Sequence, residues 1–188
     1  MKRIQYIAIY GVLIIGLMGC KKEVADPDSF NPNVLPPLTH EGKNTFGCKV
    51  NGEVWGIGAP YTISGPVALD GSYTLSTGRF YLKGTLKTDG GDIFENVRIR
   101  ANEVYSVGEY NMGISSDQVT GFSDYSENHN CGSYYNIQES PGKIFITYFS
   151  ISEGIISGVF EMDLVNPSCP GDTIRIREGR FDWRMIVY

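Results

Sequence analysis

The chain has 188 residues, a formal net charge of −5 and a hydrophobic fraction of 41%. That length suits one domain with a sizeable core. The acidic balance argues against nucleic acid as a partner, which calls for clustered positive charge.

The N-terminus reads MKRIQYIAIYGVLIIGLMGCKKE. Lys2 and Arg3 precede an apolar run from Ile4 to Met18. The run is shorter than the ~20 residues of a membrane-spanning helix and fits the apolar segment of a secretory signal. It ends in Leu17-Met18-Gly19-Cys20, which resembles a bacterial lipobox. The resemblance implies that 1–19 is a signal peptide removed before Cys20, whose sulfur carries a diacylglycerol and whose new amine is acylated. The small Gly19 suits this chemistry, because a membrane-embedded peptidase must reach the bond. Each acyl CH₂ in the bilayer contributes ~0.8 kcal/mol, so several chains hold the protein almost irreversibly. The expected location is the cell envelope, with the protein lipid-anchored to the outer membrane at its periplasmic face or at the cell surface.

Residues 20–43 read as the lipidated cysteine followed by a flexible tether, polar and interrupted by Pro27, Pro32, Pro36 and Pro37. As a flexible coil the tether spans roughly 25 Å. Lys21-Lys22-Glu23 resembles the short charged signals that send lipoproteins of the Bacteroidota to the cell surface.

From residue 44 to 188 the dominant period is two, the mark of strands with one dry and one wet face. Asn44–Val50 turns at Asn51-Gly52 into Glu53–Ile57. Arg79–Thr88 turns into Asp92–Ala101, and Lys143–Ser150 turns into Ile155–Val165. Thr173–Arg177 turns at Glu178-Gly179 into Arg180–Val187. The turn residues are those that hairpins use. The stretches 58–72 and 113–136 carry little pattern and read as long loops. The expectation is a single all-β domain of about nine or ten antiparallel strands, with essentially no helix. A β-sandwich is favoured, with a β-barrel as the alternative.

Two blocks carry a family resemblance. The opening block is Thr45-Phe46-Gly47-Cys48-Lys49-Val50-Asn51-Gly52 with Val54-Trp55; the closing block is Gly171-Asp172-Thr173-Ile174-Arg175-Ile176 with Gly179-Arg180-Phe181-Asp182. Together, with Ile156-Ser157-Gly158-Val159-Phe160 before the closing block, they resemble an uncharacterised group of Bacteroidota lipoproteins. The resemblance implies an envelope lipoprotein with one β-rich domain, and it brings no activity and no catalytic residues. The chain departs from the group in the aromatic strand that runs past the closing block through Trp183 and Arg184.

With Cys20 committed to lipid, Cys48, Cys131 and Cys169 remain, an odd count in a compartment that permits disulfides. Cys131 and Cys169 both sit at loop ends, which makes them the first choice for a bridge; pairings with Cys48 remain open. Cys48 alternates with Phe46 and Val50, so it points inward as a small hydrophobe. His129 beside Cys131, with Asp117, Asp124 and Glu127, matches no zinc, EF-hand or catalytic-dyad spacing. No metal and no cofactor is expected. Glu161 and Asp163 lie on one strand face ~7 Å apart and faintly resemble the acid strand of jelly-roll glycanases. Asn166 stands where those enzymes need a third acid, and cations on neighbouring strands would make the two acids cross-strand pairs. The sequence holds no Gly-x-Ser-x-Gly elbow, phosphate loop or HExxH.

Aromatic residues crowd the middle of the chain at Tyr105, Tyr110, Phe122, Tyr125, Tyr134 and Tyr135. Phe122, Tyr125, Tyr134 and Tyr135 form the expected binding surface, for a glycan or a protein partner. The function expected is that of a lipid-anchored, non-catalytic binding or structural module. The alternative is a glycan-active or other hydrolase with a site built across loops 113–136 and 166–171.

Overall fold

The computed structural model describes residues 34–57, 68–87, 94–112, 121–124, 133–135, 142–166, 169 and 171–185. These hold eleven strands: β1 Thr45–Val50, β2 Glu53–Gly56, β3 Leu69–Thr74, β4 Arg79–Lys87, β5 Phe94–Ala101, β6 Gly108–Asn111, β7 Gly121–Asp124, β8 Ser133–Tyr135, β9 Lys143–Ser150, β10 Ile155–Val165 and β11 Thr173–Arg184. No helix occurs among the described residues.

Every strand pairing is antiparallel. One sheet runs in the order β2-β1-β11-β10-β9-β6, and the other in the order β3-β4-β5-β7-β8. The two sheets pack face to face as a sandwich. They are stitched where Val165 of β10 meets Tyr135 of β8 and where Ala101 meets Met112.

Period-two alternation fills the space between the sheets. Phe46, Ile144, Ile146, Phe160, Met162 and Phe181 point inward from the first sheet, and Phe80, Leu82, Val97 and Ile99 from the second. Their rings interlock: Phe46 lies 5.2 Å from Phe160, and Phe80 lies 5.5 Å from Phe181 and 6.0 Å from Trp183. Gly84 on β4 makes room for this stack, since a Cβ there would come within 2.6 Å of the Phe46 ring. The opening and closing blocks are direct neighbours: β1 pairs with β11, with Phe46 opposite Phe181 and Gly47 opposite Arg180.

The structure corrects three expectations. The expected hairpin at Glu178-Gly179 is absent, and Thr173–Arg184 is one continuous strand. On β10, Phe160 faces Gly179 but Met162 faces Ile176; on β1, Gly47 faces Arg180 but Lys49 faces Arg177. One extra residue therefore sits in β11, with Glu178 at φ 51°. This is a β-bulge. A two-residue hairpin and a one-residue bulge shift the inward-facing set by the same single position, so alternation reads alike for both.

Second, the two weakly patterned stretches contain strands. β3 occupies the end of 58–72, and β7 and β8 lie within 113–136. β3 reads LDGSYT, polar with a central glycine, and it lies at the edge of its sheet paired only with β4. Edge strands with one packed neighbour need little apolar alternation.

Third, residues 34–43 belong to the domain, although the composition reads as tether. They form a strap over the outer face of the first sheet. Pro36 sits over Gly47, whose missing side chain leaves the space, and the Pro36 carbonyl accepts from the Arg180 guanidinium at 3.3 Å. The strap then reverses through Gly42 and Asn44, both at positive φ, into β1.

Candidate functional site

Two places outside the core gather side chains. The first is the end of the sandwich where β3 passes to β4, β5 to β6 and β9 to β10. Tyr73 at the end of β3 bridges the sheets there. Its ring meets Phe149 of β9 edge-on at 5.6 Å, and its hydroxyl donates to the Val104 carbonyl at 2.6 Å. Val104 in turn donates its N–H to the Gly78 carbonyl at 2.9 Å, which ties loop 102–107 to the β3–β4 turn. Gly78 has φ 59° and lies against the Tyr105 ring, so a side chain there would collide with it. Tyr110 folds back onto the same loop and donates to the Ser106 carbonyl at 2.8 Å. Burial, then the neighbouring Tyr105 and Tyr110, push the Tyr73 phenol up from its ordinary value.

On this tied base the apolar tips stay in water. Leu75, Tyr105, Val107 and Ile151 are all exposed, Tyr105 to 53%. They come from three loops and account for most of the exposed large hydrophobic residues among the described ones.

The second place is the strap. Asp182 on β11 points to the outer face of the first sheet, yet its exposure is 0%. One carboxylate oxygen accepts from the Gly42 N–H at 2.9 Å and the Ser157 hydroxyl at 2.7 Å. The other accepts from the Thr39 hydroxyl at 2.6 Å and from the N–H groups of Glu41 and Lys43, both at 3.1 Å. Burial pushes this carboxyl up, but the bonds from Thr39, Ser157, Lys43 and Gly42 together outweigh it. Its pKa falls below the ordinary value. Around this clasp, Arg184 donates to the carbonyls of Glu41 and Glu153, and its own N–H goes to the Asn44 side chain. His40 stacks on Tyr148 at 5.3 Å, and the Tyr148 hydroxyl bonds Glu153.

Of the residues expected to bind, the structure describes the side chains of Tyr134 and Tyr135 and the backbone of Phe122. Tyr134 is buried at 5% and faces the core, and its hydroxyl donates to Asp172 at 2.6 Å. It is therefore not part of an open platform: the inward position on β8 wins over the tyrosine's polar tip, which finds a carboxylate at the rim. Tyr135 is half-buried beside Val165. Phe122 lies on β7 with its backbone opposite Tyr134. Tyr125 lies outside the described residues, as do Cys20, Asp117, Glu127, His129 and Cys131.

Cys169 is disulfide-bonded, and Cys48 is a free thiol with no exposure. Burial pushes the Cys48 thiol far up, away from thiolate chemistry. Of the acids of the glycanase-like strand, Asp163 is ion-paired and Glu161 stands opposite a lysine in the ladder. Asp163 lies 2.7 Å from the Arg177 guanidinium, a contact of charge without hydrogen-bond alignment, and Glu161 faces Lys143 across β9. Among the described residues, no group of three or more His, Cys, Asp or Glu side chains is placed to hold a metal ion. Sequence reasoning passed over Asp182 because it alternates with inward aromatics and so reads as an ordinary wet-face residue. The strap that buries it carries no apolar pattern.

No protein-family model, no curated protein and no solved structure matches the chain.

Proposed function

We propose that the protein is a lipid-anchored envelope lipoprotein of the group its opening and closing blocks resemble. Cys20 carries the anchor at the outer membrane. The β-sandwich acts without catalysis, as a binding module that meets a protein partner at the loop end. The observation that carries this reading is the convergence of Leu75, Tyr105, Val107 and Ile151 on one end of the molecule. A loop surface rich in aliphatic side chains around one exposed tyrosine has the make-up of a protein contact, in which a few apolar anchors supply most of the affinity. A sugar site would set its aromatic rings among polar donors and acceptors. The base beneath the tips is fixed by the Tyr73, Tyr110 and Gly78 contacts, so little ordering cost falls on binding.

The test is a photo-crosslinking residue placed at Tyr105 in the full chain expressed in its host envelope. The expected result is a discrete adduct at Tyr105 and none with the crosslinker at Glu53, which is exposed at the start of β2, at the opposite end. Tyr105→Ser or Leu75→Asp should abolish an adduct formed through Val107. Identical adduct patterns at Tyr105 and Glu53 would overturn the loop end as the binding surface. Cys20→Ala tests the anchor: the protein should leave the membrane fraction or stay unprocessed.

A further inference from the structure

We propose that the outer face of the first sheet rests against the phospholipid bilayer that holds the anchor. This deepens the lipid-anchor reading and rests on it. Among the described residues, the exposed large hydrophobic ones away from the loop end are Val34, Leu38 and Phe145. Phe145 and Leu38 belong to this face, and Val34 precedes Pro36, which packs on it, by two residues. Phe145 on β9 stands opposite Val159 of β10, which stands opposite Arg180 of β11, the residue that holds Pro36 of the strap. Leu38 projects from the strap between Pro36 and the clasp residue Thr39. The face thus carries apolar side chains at β9 and β10 and again at the strap, with the tied-down Arg180 between them, and Phe145 is 44% exposed.

The chain itself selects the occupant. Pro36 lies on this face, and only residues 21–33 separate Val34, two residues before it, from the lipidated cysteine. Fully extended, that segment reaches at most ~50 Å, and as a coil its ends stay roughly 20 Å apart. The face where the tether arrives is therefore the one kept nearest the lipid. A tether this short holds the face at a high effective concentration beside the bilayer, so a few apolar side chains suffice where an untethered domain would not bind. Charge does not oppose the contact, although the whole chain is acidic. Lys143 pairs with Glu109, Arg177 with Asp163, and Lys49 and Arg180 with Glu178, so the charges on the face largely cancel.

The experiment is hydroxyl-radical footprinting of the full chain, purified from its host membrane. It compares the chain in vesicles of phosphatidylethanolamine and phosphatidylglycerol with the chain in dilute detergent. The mass of the Cys20 peptide reads the anchor separately. The expected result is an acylated Cys20 peptide with a several-fold fall in oxidation of Phe145 and Leu38 on vesicles, and no change at Tyr105. Phe145→Glu should restore oxidation at Leu38 while the protein still floats with the vesicles. An acylated peptide with equal oxidation of Phe145 in both states overturns the proposal. So does protection of Phe145 that grows with protein concentration in detergent, which would make the face an interface between copies. A Cys20 peptide without acyl groups overturns the anchor reading itself and takes this proposal with it.

Discussion

A carboxylate taken out of water normally requires a cation beside it. Asp182 has none among its hydrogen-bond partners and is held by five donors instead, three of them backbone N–H groups of the strap. Backbone donors cannot be protonated away or screened, so the charge stays in place over a wide pH range. Because the folded pKa is depressed, the stabilisation is complete above the ordinary value of 3.8 and is lost as pH falls through the lower folded value. Asp182→Asn turns an acceptor-only group into one that presents donors to other donors. The expected loss is at least ~2 kcal/mol at neutral pH, read by denaturant unfolding. The variant's stability should then respond less to acid than the wild type's. An unchanged acid limb would refute the assignment. The thiols form a second case at this scale. Buried Cys48 should resist iodoacetamide in the native state, and non-reducing peptide mapping should join Cys169 to Cys131. A Cys48–Cys169 peptide would refute the pairing.

At the scale of elements, much of the sandwich is legible because each central strand buries one face. The stripes in β4, β5, β9 and β10 fix both existence and register, since a slip of one residue would bury the charged set. Three elements escape for physical reasons. The edge strand β3 needs no stripe. The strap is fixed by polar contacts to backbone atoms, which leave no trace in side-chain hydrophobicity. The bulge in β11 imitates a hairpin. Tyr134 leaves the expected platform on similar ground: tyrosine counts for both core and rim, and the position on β8 sends Tyr134 inward. The bulge makes a test of its own. At Gly179 a Cβ would lie 2.6 Å from both the Phe160 ring and the Phe160 carbonyl. Backbone on one side and a core ring on the other leave no easy relief. Gly179→Ala should cost ~1–3 kcal/mol, seen as a lower melting temperature. An unaltered melt would show that β11 does not need the close approach to β10.

For the whole molecule, the question is where the folded unit begins. Composition places the boundary at residue 44, where apolar alternation starts. The contacts place it earlier, because the strap supplies four of the five donors to Asp182 and covers the outer face of β11. A chain starting at residue 44 keeps all of the core between the sheets and is expected to fold. It leaves Asp182 with the Ser157 hydroxyl and water, and it frees Arg180 and Arg184 from the carbonyls of Pro36 and Glu41. Each net hydrogen bond to a charged group contributes ~1.5–3 kcal/mol before water replaces it, so a net loss of about 3 kcal/mol is expected. For a domain of this size that corresponds to a fall of roughly 6–12 °C in melting temperature. Calorimetry of chains starting at residues 34 and 44 measures it directly. Equal midpoints would return 34–43 to the tether and would also remove the strap's hold on the exit point of the chain. A lower midpoint for the shorter chain, with unchanged near-ultraviolet dichroism from the buried aromatic stack, would separate loss of the clasp from loss of the core.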